Sequence, residues 1–227
     1  RPRFACRAAI TAADRDGLLG GLDLLARGEE QVKTATPADL GGPVFVFPGQ
    51  GSQWRGMGLE LIDSSPVFAA AMAACEEALE PHVDWSLEAV LRTVEGAPRL
   101  SRLDVVQPAL FAVMVSLAAL WRSHGVEPAA VFGHSQGEIA AVHVAGGLSL
   151  DDAARLVARR SLILARGAGM GGMALLAIGV EGLTARIPSW EERVALAAVN
   201  GRGSIVVSAG DEALDELLAE CEENGIW

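Results

Sequence analysis

Hydrophobic and polar positions follow two different patterns, which change at a glycine-rich segment at residues 167–172. Before this segment, short apolar runs at 44–47 and 129–132 predict buried strands, and longer runs with helical spacing predict helices around them. After it, short alternating runs predict the order strand, helix, strand, strand, helix. The chain is therefore predicted to be an α/β protein made of two differently built parts.

The first part is predicted to be mostly helical. Helices are expected at 12–27 with Thr11 as a cap, at 66–79, within 84–102, and at 108–124, 139–147 and 150–166. Pro66 and Pro108 suit the first turn of a helix, because that turn leaves backbone N–H groups unbonded in any case. Ser149, followed by two aspartates, is a typical helix start.

The second part has the strand and helix order of a ferredoxin-like unit without its last strand. Strands are predicted at 173–180, 194–199 and 204–209, helices at 181–187 and 211–224, and a hairpin turn at 200–203. A strand at 4–10 and a polar stretch at 28–42 precede the first apolar strand, and they place a boundary near residue 41. The predicted organisation is a linker at 1–41, a large subdomain at 42–168 and a small, truncated subdomain at 169–227.

Composition narrows the choice of partners. The chain has 227 residues, of which 51% are hydrophobic, so it can bury a substantial core. Eighteen lysines and arginines against 29 acidic residues give a net charge of −11, which disfavours nucleic acid and anionic membrane surfaces. The longest apolar run, 108–121, is shorter than the roughly 20 residues of a bilayer span. Without a visible signal peptide, we expect a cytoplasmic protein.

Few residues are available for metal or acid–base chemistry. Cys6, Cys75 and Cys221 are too widely spaced for a metal site or a disulfide framework, so they are expected to be buried. Lys33 is the only lysine, and the chain contains no tyrosine.

Gly133–Gly137 is a G-x-S-x-G sequence between a predicted strand and a predicted helix. Glycines allow the sharp strand-to-helix turn that exposes a nucleophilic serine hydroxyl, here Ser135. The backbone N–H of Gln136 would then lie at the helix N-terminus, where it can donate to a developing oxyanion.

None of the four histidines suits the role of base for Ser135. His134 is adjacent, so its side chain should point away, and His143 lies about 12 Å along the following helix. His82 and His124 are expected near helix ends, where solvated or capping histidines are common. The expected base, a histidine later in the chain, is therefore predicted to be missing.

Arg160 is a candidate for binding an anionic substrate. Leu156, Val157, Ser161 and Leu164 define the predicted inner stripe of the helix at 150–166, and Arg160 lies at the margin of that stripe. A guanidinium near a serine nucleophile would bind a substrate carboxylate through two hydrogen bonds. A solvated arginine on an arginine-rich helix, as expected for Arg155, Arg159 and Arg166, is the alternative.

Four segments together resemble the acyltransferase domain of modular polyketide synthases. They are FVFPGQGSQWRGMG at 45–58, LDVVQPALFAVMVSLAALW at 103–121, GHSQGEIAAVHVAGGLSLDDAARLVARRS at 133–161 and GAGMGGMALLAIG at 167–179. The resemblance covers nearly all of 44–227 and implies an α/β-hydrolase-like large subdomain with an inserted ferredoxin-like small one. Residues 1–41 resemble the end of the linker from a preceding ketosynthase domain.

The resemblance implies the roles of individual residues. Ser135 would take an acyl group from a coenzyme A thioester and pass it to the phosphopantetheine thiol of an acyl carrier protein, with no bound cofactor. Arg160, 25 residues after Ser135 as in the family, would bind a malonyl-type carboxylate. His134 and Gln107 would line the acyl site, and the backbone amides of Gln50 and Gln136 would form the oxyanion hole.

The same resemblance bears on the extender unit and on catalysis. Gln136 and the segment 104–107 (DVVQ) are typical of methylmalonyl-selective domains. One methyl group is worth only about 1–3 kcal/mol of discrimination, so ethylmalonyl or relaxed selectivity remains an alternative. The family's catalytic histidine lies in a Tyr-Ala-Ser-His-like segment that this sequence lacks, so we expect negligible turnover from these 227 residues. A serine esterase or lipase and a non-catalytic carrier-protein docking domain are the rival hypotheses.

Overall fold

The computed structural model describes residues 7–28, 34–35, 42–167, 169 and 171–227. The strands are β1 (Arg7–Ala8), β2 (Thr34–Ala35), β3 (Val44–Phe47), β4 (Ala130–Gly133), β5 (Gly172–Leu176), β6 (Ala195–Gly201) and β7 (Ser204–Ala209). The helices are α1 (Arg15–Ala26), α2 (Leu59–Ser64), α3 (Pro66–Leu79), α4 (Leu87–Leu91), α5 (Leu103–Ser123), α6 (Gly137–Val144), α7 (Leu150–Arg166), α8 (Val180–Arg186), α9 (Trp190–Arg193) and α10 (Asp211–Glu223). The chain is thus a mixed α/β protein.

Residues 42–167 form what we call the helical body, which is folded around α5. This helix is buried along most of its length and packs against α3, α6 and α7. Its apolar side chains join those of α3, α6 and α7 in one core cluster. Helix α5 is long and apolar enough to cross a membrane by length and composition, but 72% of its apolar window is buried inside the fold. Burial on all sides explains why α5 is apolar all round.

Strands β3 and β4 form a two-stranded parallel sheet in the helical body. Phe47 is paired with Gly133, so both strands end at the same edge of the sheet. The segments that follow the two strands therefore begin side by side.

Residues 171–227 form what we call the sheet lobe, which has its own core. Its antiparallel sheet has the order β5-β7-β6, and buried residues of the strands pack against α8 and α10. The largest fully buried side chain is Trp190, whose indole N–H donates to Thr184 Oγ1 at 3.0 Å. The predicted β-α-β-β-α order is present, with the short helix α9 added before β6.

Several predicted boundaries were wrong. Helix α5 begins five residues before Pro108, so this proline lies inside the helix instead of opening it. Asp14, not Thr11, caps α1, because the Asp14 carboxylate accepts from the backbone N–H of Gly17. The strand predicted at 173–180 ends at Leu176, and helices α2 and α9 were not predicted.

Other predictions concern residues near the N-terminus and the cysteines. Cys75 and Cys221 are buried, as predicted. Cys6, residues 4–6 of the predicted N-terminal strand, and residues 29–33 and 36–41 of the predicted linker lie outside the described residues. In the described portion of that region, Arg7–Ala8 pairs with Thr34–Ala35.

Candidate active site

The candidate site lies where β3 and β4 end. The backbone N–H of His134 donates to the carbonyl oxygen of Phe47 at 3.0 Å, which joins the turn after β4 to the end of β3. A Cβ atom at Gly49 would lie 2.9 Å from His134 Nδ1, so the two turns approach too closely for a side chain there. The parallel pairing thereby places the PGQ turn beside Ser135.

Ser135 occupies a strained backbone position at the turn from β4 into α6. Its φ is +53°, in the left-handed region that non-glycine residues rarely adopt. A Cβ at Gly137 would collide with the carbonyl oxygen of Phe47, and one at Gly133 would collide with the backbone of Glu138. Both glycines of the predicted motif are therefore required by close backbone packing, and the Ser135 side chain is exposed. This is the geometry expected of a nucleophile elbow.

Arg160 on α7 reaches Ser135. Its Nη2 donates to Ser135 Oγ at 3.2 Å, and its Nη1 donates to Gln107 Oε1 at 2.6 Å. The Gln107 side chain is only 5% exposed, and its Nε2 donates to Gln50 Oε1 at 3.3 Å. A chain of hydrogen bonds therefore links the turn after β3, helix α5, helix α7 and the serine.

Gln136 is buried at the start of α6. Its Nε2 contacts the carbonyl oxygen of Pro48 at 3.5 Å, at the outer limit of a hydrogen bond, and its Oε1 has no partner. Among the described residues, neither the backbone N–H of Gln136 nor that of Gln50 donates to another residue. Gln50 is exposed, whereas Gln136 is fully buried.

The structure does not bring a histidine ring to Ser135 Oγ. His134 is exposed on the elbow, and His82 and His124 lie at helix ends. His143 is held on α6, with Nδ1 3.0 Å from the carbonyl oxygen of Leu148. Within the described part of the chain, the hydrogen-bond partner of Ser135 Oγ is Arg160.

The predicted inner stripe of α7 was partly wrong. Leu156 and Leu164 are exposed, and the buried face consists mainly of small residues: Ala153, Ala154, Val157, Ala158 and Ser161. Small side chains let α7 approach α3 and α5 closely. Arg160 lies at the edge of this face and is half-buried, as predicted, while the other three arginines of α7 are exposed.

Of the segment 104–107, one residue contacts the site. Val105 and Val106 are buried in the core, and Asp104 pairs with Arg102 at 2.6 Å. Gln107 alone reaches a site residue, through Arg160. The pairing of Gln107 with Gln50, 57 positions earlier, has no signal in the sequence pattern, because it depends on how α5 packs beside β3.

Comparisons with known proteins agree on one family. Residues 44–227 match the family model described as "Acyl transferase domain". The chain is 52% identical to erythronolide synthase EryA2 of Saccharopolyspora erythraea and 54% identical to mycoketide-CoA synthase of Mycobacterium tuberculosis. These matches cover 100% and 97% of the chain and 6% and 5% of those proteins.

Solved structures of acyltransferases also superpose on this chain. The acyltransferase domain from module 8 of the salinomycin polyketide synthase superposes with a TM-score of 0.89 at 54% identity, covering all of this chain and 54% of that one. The malonyl-CoA:ACP transacylase of Synechocystis sp. PCC 6803 superposes with a TM-score of 0.67 at 31% identity, covering 79% of this chain and 58% of that one. The chain thus spans about half the length of these solved structures.

Proposed function

Because the chain belongs to the family of acyl transferase domains found in modular polyketide synthases, we propose that it forms the acyl-binding part of an extender-unit acyltransferase. The observation that carries the proposal is the 3.2 Å contact between Arg160 Nη2 and Ser135 Oγ. It places a carboxylate-binding cation beside a serine on a strained turn, which a malonyl-type thioester requires.

Ser135 is the nucleophile in this proposal. Its Oγ attacks the thioester carbon of the acyl-coenzyme A, the carbon–sulfur bond breaks, and coenzyme A leaves as the thiol. The resulting ester on Ser135 is then cleaved by the phosphopantetheine thiol of an acyl carrier protein. The backbone N–H groups of Gln50 and Gln136, which donate to no other described residue, are the proposed donors to the oxyanion in both steps.

Arg160 is the proposed carboxylate-binding residue, and Gln107 and His134 border the acyl group. A half-buried guanidinium is a local positive charge in a chain of net charge −11, so it suits an anionic acyl group better than the surrounding surface does. The likeness to a malonyl-CoA:ACP transacylase supports a carboxylated substrate.

The extender unit is proposed to be methylmalonyl. Support comes from Gln136 and the segment 104–107. Because Val105 and Val106 are buried in the core, any influence of these two residues on selectivity would be indirect. Selectivity against malonyl or ethylmalonyl would then depend on the shape of a site to which this segment contributes Gln107.

The general base is proposed to lie outside these 227 residues. None of the four histidines hydrogen-bonds to Ser135 Oγ within the described residues. Without a base, proton removal from the hydroxyl is slow, so turnover by this chain should be lower by several orders of magnitude than that of a complete domain.

The domain organisation follows from the same proposal. Residues 1–41 would be the end of a ketosynthase-to-acyltransferase linker, 42–168 a hydrolase-like large subdomain and 169–227 a ferredoxin-like small subdomain. The parent protein would be a cytoplasmic synthase in which a ketosynthase and an acyl carrier protein are the partners.

Affinity for acyl-coenzyme A tests the proposal without requiring turnover. By calorimetry, methylmalonyl-coenzyme A should bind the chain roughly tenfold or more tightly than propionyl-coenzyme A, which lacks the carboxylate. The variant Arg160→Met should abolish this difference, and Arg159→Met, at the exposed neighbouring position, should preserve it.

The rival hypotheses predict other outcomes. An esterase would bind both thioesters equally and would not respond to Arg160→Met. A carrier-protein docking domain would bind neither thioester and would not form an ester on Ser135 during long incubation, as followed by peptide mass spectrometry.

A further inference from the structure

The guanidinium of Arg160 contacts the nucleophile itself. One terminal nitrogen donates to Gln107 Oε1 at 2.6 Å and the other to Ser135 Oγ at 3.2 Å. The same contact that places a cation beside the serine also places a hydrogen-bond donor on the nucleophilic oxygen. Its effect on the reactivity of Ser135 is a further question, which rests on the proposed function.

We propose that Arg160 masks Ser135 in the ligand-free site and that the carboxylate of the substrate removes the mask. A serine hydroxyl has one hydrogen and two lone pairs, and attack on a carbonyl carbon uses a lone pair. A hydrogen bond from a cation occupies one lone pair and draws electron density from the oxygen. Ser135 is therefore a weaker nucleophile while Arg160 holds it.

Gln107 keeps Arg160 in the masking position. Its amide is buried, and Gln50 Oε1 accepts from its Nε2 at 3.3 Å, so the amide oxygen points at Arg160. The short contact to Nη1 then directs the other end of the planar guanidinium toward Ser135. Gln107 is a positioning residue in this arrangement, because it acts through Arg160.

A carboxylate is a better acceptor for a guanidinium than a neutral hydroxyl. The guanidinium and a carboxylate carry opposite charges, and the planar fork of the guanidinium can donate to both carboxylate oxygens at once, whereas the serine hydroxyl is neutral and offers one oxygen. The carboxylate of a methylmalonyl group would therefore replace Ser135 Oγ as the acceptor for the Arg160 N–H. A plain acyl group has no carboxylate that could replace it. Selection for a carboxylate would operate on the reactivity of Ser135 as well as on affinity.

The test uses a reagent that carries no carboxylate. Phenylmethylsulfonyl fluoride forms an Oγ–S bond with a serine, fluoride leaves, and the hydroxyl proton passes to the buffer. The rate of labelling at Ser135 is followed by peptide mass spectrometry, with Ser135→Ala as the blank. Arg160→Met should be labelled roughly fivefold faster than the unchanged chain, the rate equivalent of one hydrogen bond. Arg159→Met should match the unchanged chain.

A second measurement does not depend on a variant at Arg160. Formate is a small carboxylate that can occupy the guanidinium without filling the acyl site. Rising formate, compared with sodium chloride at equal ionic strength, should accelerate labelling of the unchanged chain.

The masking role is overturned by labelling of Arg160→Met at an equal or lower rate, or by the absence of acceleration with formate. A lower rate would show that Arg160 activates Ser135. The proposed function is judged separately by the affinity ratio of methylmalonyl- to propionyl-coenzyme A. A high ratio with unchanged labelling rejects masking alone, and a ratio near one rejects the carboxylated substrate.

Discussion

The helical body and the sheet lobe each fold around an apolar core, but they differ in how they treat polar groups. Among the described residues, the fully buried polar side chains lie in the body: Gln107, Ser116, Gln136 and Ser161. The body also contains Ser135 in a strained conformation, whereas the buried residues of the lobe are apolar. Thr93 is a second non-glycine residue of the body with a positive φ, at 57°. Strain and buried polar groups cost stability, and at the candidate site they occur together in Ser135, Gln107 and Gln136.

The helical body and the sheet lobe also have separate cores. The two clusters of buried side chains draw their residues from separate parts of the sequence, one from 47–158 and the other from 176–226. We therefore expect damage to one core to leave the other folded.

The largest loss of stability is expected from a substitution in the core of the sheet lobe. Trp190→Ala removes its largest fully buried side chain and should cost about 3–5 kcal/mol of the free energy of unfolding. Hydrogen exchange should show lost protection in 172–226 and unchanged protection in α5. Trp227→Ala, at a side chain that is 85% exposed, is the matched control. Equal loss of protection in α5 would show that the two cores unfold as one unit.

A smaller loss of stability is expected from a substitution at the turn that carries Ser135. Gly137→Ala places a methyl group against the carbonyl oxygen of Phe47 and should destabilise the body by about 3 kcal/mol. Gly203→Ala, where nothing lies within 4 Å of the added methyl group, should change stability little. Thermal unfolding followed by hydrogen exchange would locate the loss. A stable Gly137→Ala chain would mean that the elbow can relax.

Alkaline pH should weaken the body through Cys75. Burial raises the pKa of the Cys75 thiol from its ordinary value of 9.0 to about 12. The unfolded chain releases this proton first, so stability is complete below about pH 9 and falls as pH rises toward 12. The loss should reach about 2 kcal/mol near pH 10.5.

This pH effect can be isolated well in this chain. It has no tyrosine and one lysine, and the other described group that contributes in this range is the Cys221 thiol of the lobe, whose pKa burial also raises. Denaturant unfolding between pH 8 and 10.5 should show the slope in the unchanged chain, and Cys75→Ala should remove most of it. An unchanged slope in that variant would assign the pH effect to other groups.

The smallest loss of stability is expected from a substitution at the start of α7. Ser149 Oγ accepts from the backbone N–H of Asp152 at 3.0 Å, so Ser149→Ala should cost about 1 kcal/mol. Ser189 precedes α9 without such a bond, and Ser189→Ala should cost clearly less. Because α7 carries Arg160, Ser149→Ala also tests whether fraying of α7 weakens the preference for methylmalonyl-coenzyme A.

Much of the fold could be predicted from local patterns. The limits of α3 and the start of α7 follow from a proline or a capping serine before a run with helical spacing, and both were predicted. The start of α5 was not predicted, because Arg102 at the helix start makes no side-chain capping bond, while a proline such as Pro108 ordinarily suits the first turn of a helix. A proline in the second turn is tolerated when surrounding contacts hold the helix, and α5 is buried on all sides.

The candidate site, like the fold, could be predicted from the sequence only in part. The G-x-S-x-G sequence between a strand and a helix predicts an elbow, and the backbone at Ser135 has the conformation that an elbow needs. Helical spacing placed Arg160 at the edge of the buried face, but it left a solvated arginine as the alternative. That alternative was removed by the contact with Ser135, which lies 25 positions away.

The sequence by itself therefore determined most of the longer elements, the elbow and the small number of histidines, since these depend on residues close together in the chain or on a simple count. Tertiary structure decided that Gln50, Gln107, Arg160 and Ser135 form one connected set of hydrogen bonds. Hydrogen bonds act only over about 3 Å. Whether residues 25 to 57 positions apart come that close depends on how helices α5, α6 and α7 pack together and on the turns that follow β3 and β4.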